Sequence, residues 1–440
     1  MTQRFVLIFL AVLTVFTLSV ARSSGPQEDK GDVYQQMQLF GEVFERVRKG
    51  YVDEKSDAEL VEAAINGMLS SLDPHSTFIT LKDYEELKVD TSGKFGGLGI
   101  QVTMNEDGYV LVISPIDDTP AAKAGIKAQD LIISLDDEPV KGLTLDKAVD
   151  IMRGDVGTEI TLSVVRGEEP PFDVRITREE IKLQSVRSEI KPGNLGYLRI
   201  TSFNATTADL LAEEIAGLQE EADGPLEGYV LDLRNNPGGL LEASIAVADA
   251  FLGRVEVVST HGRQENDVRR YSARNGELIN GAPMVVLING GSASASEIVA
   301  GALKDHQRAL ILGTDSFGKG SVQTVYELPG YGAMRMTTQR YYTPSGISIQ
   351  AKGIEPDIYV EQSKVESLEV GRWRKEADLR GALDKPEGDI IQNEAAAEEE
   401  VLAGPIDDEI EEVQEEEFFD YQLERALDIL RGYKLFTAQS

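Results

Sequence analysis

The strongest constraint on the fold of this chain is a regular alternation of short apolar segments with amphipathic ones from residue 196 onward. Four apolar segments have the length of buried strands: residues 197–200, 229–233, 284–288 and 309–312. Three segments with helical periodicity lie between them: residues 207–221, 240–252 and 296–306. Because neighbouring parallel strands need a crossover connection, usually a helix, these repeated β-α units predict an α/β core with parallel strands.

The rest of the chain divides by pattern and composition. Residues 93–176 carry short strand patterns around one helix at 145–152, which predicts a small β-rich module. Apolar side chains recur at helical spacing over 33–72. Residues 391–420 contain 13 carboxylates and no base, and 421–433 are amphipathic. We therefore predict a signal peptide at 1–21, an N-terminal linker and helical region at 22–90, the β-rich module at 91–177, the α/β core at 178–362, and an acidic C-terminal region with a terminal helix at 363–440.

Charge and composition exclude several classes of protein. The chain has 43 basic and 76 acidic residues, so its formal net charge is −33 and we expect it to repel nucleic acids. With no cysteine it has no disulfide, no thiol nucleophile and no zinc–thiolate cluster. Only three histidines are present, which argues against a multi-histidine metal site. We expect neither a metal nor a cofactor.

The N-terminus has the pattern of a secretory signal. Arg4 precedes an uncharged segment, 5–21, that ends in the small residues Ser19-Val20-Ala21. The alternative is an uncleaved inner-membrane anchor, although the apolar segment is a little short for a spanning helix. In either case we expect export, and for a cysteine-free exported chain we expect the bacterial periplasm.

Two glycine-containing segments carry the chemistry. The serines of residues 292–296 lie among small residues between a strand and a helix, where a backbone can approach a ligand closely. Lys319 lies between two glycines before another strand, and Gln323 follows four residues later on the same face of an extended chain. Taken singly, the serines could be helix N-caps and the lysine a surface turn. Their pairing suggests a nucleophile and its base.

The base of such a serine is not expected to be a histidine. His306 lies 12 residues from Ser294 along the predicted helix, about 18 Å away. His261 is predicted in a polar loop and His75 in a turn near the N-terminal helices. A lysine can act as base where burial makes its neutral form accessible, and Gln323 would hold the amine without adding charge.

An oxyanion formed at the serine would need two backbone donors. The N–H of Ala295 lies at the predicted helix start, where the helix dipole favours negative charge. The second donor would come from the glycine turn within residues 232–239, which could also be an ordinary β-α turn.

Five motifs, in this order, resemble the carboxyl-terminal processing proteases: Leu-Asp-Pro-His-Ser at 72–76, Gly-Tyr-Leu-Arg-Ile at 196–200, Leu-Asp-Leu-Arg-Asn-Asn-Pro-Gly-Gly at 231–239, Ser-Ala-Ser-Ala-Ser-Glu at 292–297 and Gly-Lys-Gly at 318–320. The resemblance spans residues 35–360 and implies a crotonase-like α/β protease core. It also implies that Ser294 is the nucleophile, Lys319 the base and Gln323 the partner that orients the lysine. The oxyanion hole would be formed by Gly238 or Gly239 together with Ala295.

The β-rich module resembles a PDZ domain. Its segment Gly97-Leu98-Gly99-Ile100 is similar to the loop whose backbone N–H groups receive a peptide's terminal carboxylate. Leu145, Val149 and Met152 fall on one apolar helix face that could wall the groove, although that face could also be plain core. In the family an arginine at the place of Arg153 couples the PDZ domain to the protease site. The alternative for Arg153 is a solvated cation at a helix end.

The sequence therefore predicts a periplasmic serine endopeptidase that captures proteins by apolar C-terminal tails and cleaves them with a Ser–Lys dyad. Two alternatives remain at this point: a non-catalytic PDZ scaffold, and a crotonase-type acyl-CoA enzyme. The resemblance also implies a homo-oligomer and, as in some gram-negative members, a lipoprotein adaptor. The amphipathic stretch at 421–433 is a candidate assembly element.

Overall fold

The computed structural model describes residues 30–274, 276–364 and 419–437. The predicted signal peptide and most of the acidic region lie outside these residues. The chain forms two compact units: within the described residues the first contains 30–84 and 323–337, and the second contains 85–322 and 338–437 with the gaps just given. No helix in the described part of the chain is long and apolar enough to cross a membrane.

The N-terminal region is helical, as predicted. It contains α1 (Lys30–Gly50), α2 (Asp57–Ser70), the short strand β1 (Thr77–Ile79) and α3 (Leu81–Ser92). Helix α2 begins with a capping box, in which Ser56 Oγ accepts from the N–H of Glu59 and the Glu59 carboxylate accepts from the N–H of Ser56. Six large apolar side chains of α1 are at least half exposed: Val33, Tyr34, Met37, Leu39, Phe40 and Val43.

The turn between α2 and β1 contains the Leu-Asp-Pro-His-Ser motif, and Asp73 holds it together. Its Oδ1 accepts from the N–H groups of His75 and Ser76, and its Oδ2 accepts from Ser76 Oγ. Ser76 Oγ in turn accepts from the N–H of Thr337, and β1 pairs with residues 333–335. The motif is therefore a structural turn within the first unit.

The β-rich module is an antiparallel sheet with helices against it. Its elements are β2 (Lys94–Gly97), β3 (Ile100–Met104), β4 (Val110–Pro115), α4 (Pro120–Lys123), β5 (Leu131–Leu135), β6 (Glu138–Pro139), α5 (Leu145–Met152), β7 (Glu159–Val165) and β8 (Phe172–Thr177). The sheet order is β3-β4-β5-β7-β8, and its apolar side chains form a core of their own. Strand β2 pairs instead with β9 (Glu179–Lys182), so the strand that enters the module lies beside the strand that leaves it.

The α/β core follows. Its elements are β10 (Val186–Lys191), β11 (Leu195–Ile200), α6 (Thr207–Glu221), β12 (Gly228–Asp232), α7 (Leu241–Asp249), β13 (Glu256–His261), β14 (Val268–Ser272), β15 (Met284–Ile288), α8 (Ala295–Asp305), β16 (Leu310–Gly313), β17 (Ser321–Leu328), β18 (Gly332–Tyr342), β19 (Ile358–Tyr359) and α9 (Tyr421–Thr437). The central sheet has the order β10-β11-β12-β15-β16-β19. All its pairs are parallel except that of β10 with β11.

Helices cover both faces of the central sheet. Every residue of β12 and β15 is buried, as expected of parallel strands that lie between two helical layers. Leu231 belongs to the core cluster with α6, α7 and α8, whereas its neighbour Val230 belongs to the cluster with Leu427 of α9. The carboxyl ends of β12 and β15 lead directly into the segments predicted to be functional, which is the usual place for a site in such sheets.

The α/β class and the order of elements agree with the prediction, with boundaries that shift by a few residues. Strand β17 agrees with the extended segment predicted after Lys319, whereas the antiparallel strands β13, β14 and β18 were not predicted. Because of them, the assignment of His261 to a loop is wrong. It is the last residue of β13, and its ring stacks on Tyr342 with 4.1 Å between centroids.

Candidate active site

Ser294 occupies a strained turn between β15 and α8. It is the N-cap of α8, it has φ 55° and ψ −109°, and it is only 8% exposed. A positive φ at a residue other than glycine costs of the order of 1–3 kcal/mol and persists only where its surroundings enforce it. The same kind of strand-to-helix turn presents the nucleophile in α/β-hydrolases. The location suits a serine that must approach a substrate.

The glycine turn after β12 lies against this serine. A Cβ on Gly238 would be 2.9 Å from Ser294 Cβ and 2.9 Å from the N atom of Ala295, so only glycine fits there. The N–H of Gly238 donates to Asn236 Oδ1 at 2.9 Å. Gly238 and Gly239 are the two glycines predicted for the oxyanion hole. The N–H of Gly238 is already bonded to Asn236, so Gly238 allows the close approach to Ser294. The N–H of Gly239 is the better candidate donor beside that of Ala295.

Asn236 joins the glycine turn to the serine turn. Its side-chain amide donates to the carbonyl of Ile200, and its own carbonyl accepts from the N–H of Ala293 at 3.0 Å and from Ser296 Oγ at 2.9 Å. It is completely buried. The sequence reasoning placed Asn236 inside a motif but gave it no role.

Ser296 and Ser292 are not helix caps. Ser296 is the second residue of α8 and is buried with its hydroxyl on Asn236. Ser292 Oγ donates to the carbonyl of Leu233 at 2.8 Å and accepts from the N–H of Asn289. The alternative that these serines are helix caps therefore applies to Ser294 alone, and the flanking serines bind its turn to the neighbouring loop.

A buried carboxylate connects the serine turn with the lysine loop. Glu297 Oε2 accepts from the N–H of Ser294 at 2.7 Å and from the N–H of Lys319 at 2.9 Å. Its Oε1 accepts from Ser316 Oγ and from the N–H of Gly318, each at 2.6 Å. Glu297 has no exposed surface. One oxygen atom thus holds the backbone of both predicted catalytic residues.

The lysine loop is fixed on its other side as well. A Cβ on Gly320 would lie 2.2 Å from the backbone N of Gln350, so the loop packs against the chain there too closely for any side chain. The carbonyl of Gly320 accepts from the N–H of Tyr341 at 2.7 Å. Lys319 itself is half-buried.

The remaining predicted groups are Gln323 and the histidines. Gln323 belongs to the first unit, where its Nε2 donates to Thr337 Oγ1 at 3.4 Å, and its role toward Lys319 stays a prediction. His306 is the C-cap of α8, at the opposite end of the helix from Ser294, and its Nε2 hydrogen-bonds the carbonyl of Glu256. Among the described residues, no group of three acidic or histidine side chains could hold a metal ion.

The β-rich module has a cavity of about 100 Å³ at its predicted groove. Its lining includes all four residues of the predicted loop, Gly97 to Ile100, together with Val149, Met152 and Arg153. The carbonyls of Leu98 and Gly99 accept from the N–H groups of residues 121 and 116, which fixes the loop. Leu145 does not line the cavity. It packs against the module's own core, as does Val149, which lines the cavity, so the assignment of Leu145 to the groove wall stays a prediction.

Two arginines shape the far end of the groove. The Arg153 guanidinium lies 4.8 Å from the ring of Phe95, and its buried Nε has no hydrogen-bond partner among the described residues. Arg178, only 7% exposed, donates to the carbonyls of Ile151 and Met152 and so caps the end of α5. The sequence contained no signal that could have identified Arg178 in this role.

These contacts define a class of protein: an α/β core that holds a buried serine at a strained strand-to-helix turn, joined to a small module with a groove beside a glycine loop. Comparison with known proteins makes the class more specific. Residues 194–360 match the peptidase family S41, residues 96–174 match a PDZ domain, and residues 14–82 match the N-terminal domain of the activating protease CtpB.

Full-length relatives agree with these matches. The chain is 48% identical over 98% of its length to a carboxy-terminal-processing protease of Bartonella bacilliformis, of which 96% is covered. It is 34% identical to the carboxy-terminal processing protease CtpA of Bacillus subtilis, over 85% of this chain and 80% of that one. The solved photosystem II D1 C-terminal processing protease is 31% identical, with 74% of this chain and 92% of that chain covered and a TM-score of 0.43.

The chain therefore belongs to peptidase family S41 and is a serine-type peptidase of the carboxy-terminal-processing class with a PDZ domain. The two alternatives weighed on the sequence, a non-catalytic scaffold and an acyl-CoA enzyme, are set aside by this membership.

Proposed function

We propose that this peptidase is a periplasmic endopeptidase in which Ser294 attacks the scissile carbonyl and Lys319 removes and returns the proton. The observation that carries this proposal is the bond of one Glu297 oxygen to the backbone of both residues, because it sets their relative position. The tetrahedral oxyanion would be met by the N–H groups of Ala295 and Gly239. Gln323 would orient the lysine, as the family resemblance implies.

The dyad is tested by substitution. Ser294→Ala and Lys319→Ala should each lower kcat at least about a thousandfold and leave the fold intact, because each removes a participant in bond making. His306→Ala is the control, since His306 lies at the other end of α8. Cleavage of a peptide at the wild-type rate by Ser294→Ala, or an equal loss in His306→Ala, would show that the assignment is wrong.

We further propose that the PDZ groove captures substrates by a free, apolar C-terminus. The glycine loop beside the cavity supports this, because backbone N–H groups there can bind a terminal carboxylate. Amidation of a substrate's C-terminus should then lower kcat/KM about ten- to a hundredfold, since charge-assisted hydrogen bonds are lost. Arg153→Ala should lower tail-stimulated cleavage without changing the labelling of Ser294 by a fluorophosphonate. Equal cleavage of free and amidated peptides below saturation would exclude tail recognition.

We also propose that the N-terminal segment directs export of the chain. We expect processing after Ala21, and N-terminal sequencing of the periplasmic protein distinguishes this from an uncleaved anchor.

We also expect a homo-oligomer in which a second copy covers the exposed apolar side chains of α1. Light scattering should show that Phe40→Glu, which places a charge among those side chains, lowers the oligomeric state while Glu42→Gln does not. An unchanged state in Phe40→Glu would exclude α1 as the contact.

A further inference from the structure

Arg234 begins the glycine turn and is only 7% exposed. A guanidinium has five N–H donors, and all five of Arg234 have acceptors. Nε and Nη2 donate to the two oxygens of Asp232 at 3.0 and 2.6 Å. Nη2 and Nη1 donate to the two oxygens of Asp420 at 2.6 and 2.8 Å, and Nη1 also donates to Gln422 Oε1 at 3.1 Å. Two carboxylates thus bind this side chain, each through both of its oxygens.

Asp420 comes from a remote part of the chain. It is 186 residues from Arg234 and is the last carboxylate of the acidic stretch at 391–420. Its Oδ1 also accepts from the N–H of Leu423 at 3.1 Å, so it lies in the first turn of α9 as an N-terminal cap. Helix α9 is held on the sheet by apolar side chains such as Leu427. Asp420 therefore lies beside the loop that follows β12, next to the candidate protease site.

The backbone on both sides of Arg234 contacts the serine turn. The preceding carbonyl, of Leu233, accepts from Ser292 Oγ at 2.8 Å, and the following N–H, of Asn235, donates to Asn289 Oδ1 at 2.9 Å. A shift of Arg234 would therefore be transmitted to the turn that contains Gly238, which touches Ser294. The position of this arginine bears directly on the geometry of the oxyanion hole.

Asp232 cannot replace Asp420 as the partner. One Asp232 oxygen already accepts from Arg199 at 3.1 Å and from the hydroxyl of Tyr197 at 2.8 Å. Burial, followed by the charge of Asp232, raises the pKa of Tyr197 to about 12, so its hydroxyl stays a donor. Without Asp420, two donors of a buried guanidinium would lose their acceptors, and the positive charges of Arg199 and Arg234 would face a single carboxylate. Buried donors without acceptors are destabilising, so we expect Arg234 and its loop to shift.

We propose that Asp420 is a positioning residue for the protease site: by completing the set of acceptors around Arg234, it holds the glycine turn where the oxyanion forms. Asp420, the last residue of the acidic stretch, thereby contributes to catalysis in this chain. This inference rests on the proposed function, because it assumes that Ser294 is the nucleophile.

The test separates catalysis from stability. Asp420→Asn in the full chain should lower kcat about tenfold or more for a tail-bearing peptide, with KM within about threefold of wild type, since the PDZ groove is untouched. In Asp420→Gly, added formate should restore part of kcat, because the Asp420 side chain is 26% exposed and a small carboxylate can reach Arg234. Asp420→Glu should be intermediate.

The matched control is Leu427→Ala, which loosens the same helix without contact to Arg234. It should lower the melting temperature at least as much as Asp420→Asn, keep kcat well below its melting midpoint, and show no response to formate. The inference is overturned if Asp420→Asn keeps kcat within about twofold, or if Leu427→Ala loses kcat equally.

Two further measurements cover the cases in which Asp420→Asn does not fold or Ser294 is not the nucleophile. Should Asp420→Asn not fold, Gln422→Ala takes its place, since it withdraws one acceptor from Nη1 and leaves the ion pair. Its kcat should fall about threefold, and an unchanged kcat would overturn the inference. Cleavage by Ser294→Ala would instead refute the proposed function, whatever the Asp420 variants do.

Discussion

At the scale of single residues, the buried carboxylate of Glu297 has more partners than its place at the third position of a helix requires. A capping box needs only the bond to the N–H of Ser294. Here the same side chain also binds two N–H groups of the lysine loop and the hydroxyl of Ser316. Four donors around one carboxylate compensate its burial, and they make the spacing of Ser294 and Lys319 a property of the backbone.

Glu297→Gln should therefore separate folding from catalysis. The amide keeps the shape but presents N–H groups where two backbone donors now bind one oxygen, so the two loops must move apart. We expect kcat to fall about ten- to a hundredfold with little change in KM, measured on a tail-bearing peptide. Ser316→Ala, which removes one neutral donor, should cost less than about threefold. A Gln variant with wild-type kcat would show that the spacing does not depend on this charge.

A lysine base also predicts a distinctive dependence on pH. An ordinary lysine titrates near pH 10.4, so the active, neutral form increases as the pH rises. The rate should rise with pH and lack the acid limb near 6.5 that a histidine base would give. Lys319→Arg should be inactive, because a guanidinium does not lose its proton in this range. Robust peptide cleavage by the arginine variant would remove Lys319 from the mechanism.

At the scale of elements, one short segment contacts both the end of α3 and the glycine turn. The N–H of Ala205 donates to the carbonyl of Thr91, in the last turn of α3, shortly before β2 and the glycine loop of the PDZ domain. Two residues earlier, the N–H of Phe203 donates to the carbonyl of Gly238, and its carbonyl accepts from the N–H of Leu240. Residues 203–205 therefore join the end of α3, from which the chain enters the PDZ domain, to the glycine turn beside Ser294.

Strand β2 offers a test of the groove alone. A Cβ on Gly96 would lie 2.0 Å from the carbonyl of Gly154, so Gly96→Ala must push β2 away from the end of α5. KM for a tail-bearing peptide should rise about tenfold, a loss of about 1.4 kcal/mol in capture. Labelling of Ser294 by a fluorophosphonate should not change. Gly217→Ala, where a Cβ meets nothing, is the control, and a slower labelling rate in Gly96→Ala would argue against a selective effect.

At the scale of the whole molecule, hydrogen-bonded carboxylates make the free energy of unfolding depend on pH in acid. For Asp73, Asp130 and Asp420, burial raises the pKa, but hydrogen bonds outweigh it, and each pKa lies below its ordinary value. The donors are the turn residues for Asp73, Arg166 for Asp130 and Arg234 for Asp420. A lowered folded pKa means that the carboxylate favours the folded state at neutral pH.

These carboxylates make the free energy of unfolding fall as the pH falls. The contribution of these carboxylates is complete above the unfolded pKa of about 3.9 and is lost as the pH falls through the lower folded values. The free energy of unfolding should thus be nearly constant between about pH 5 and 7 from this source and fall below about pH 4. Asp130→Asn should cost about 1.5–3 kcal/mol at pH 7 and weaken the acid dependence, measured by urea unfolding. Equal acid sensitivity in variant and wild type would contradict this account.

The sequence by itself determined most elements of the α/β core. Apolar periodicity is a local property, so it located the parallel strands and their helices. The absence of cysteine excluded thiol catalysis, and the position of His306 along the predicted helix argued against it as a base. Glycine-rich turns at strand ends marked Gly238, Ser294 and Lys319, because such turns need small residues wherever they occur.

Only the tertiary structure decided which groups hold that chemistry in place. The contact of Asp420 with Arg234 spans 186 residues, and an acidic stretch looks the same in a sequence whether it is solvated or paired. From the sequence alone, His261 is predicted in a loop and Ser296 could be a helix cap, and only their neighbours in space show otherwise. Each of these roles depends on which chain segments meet in space, and neither periodicity nor composition encodes that.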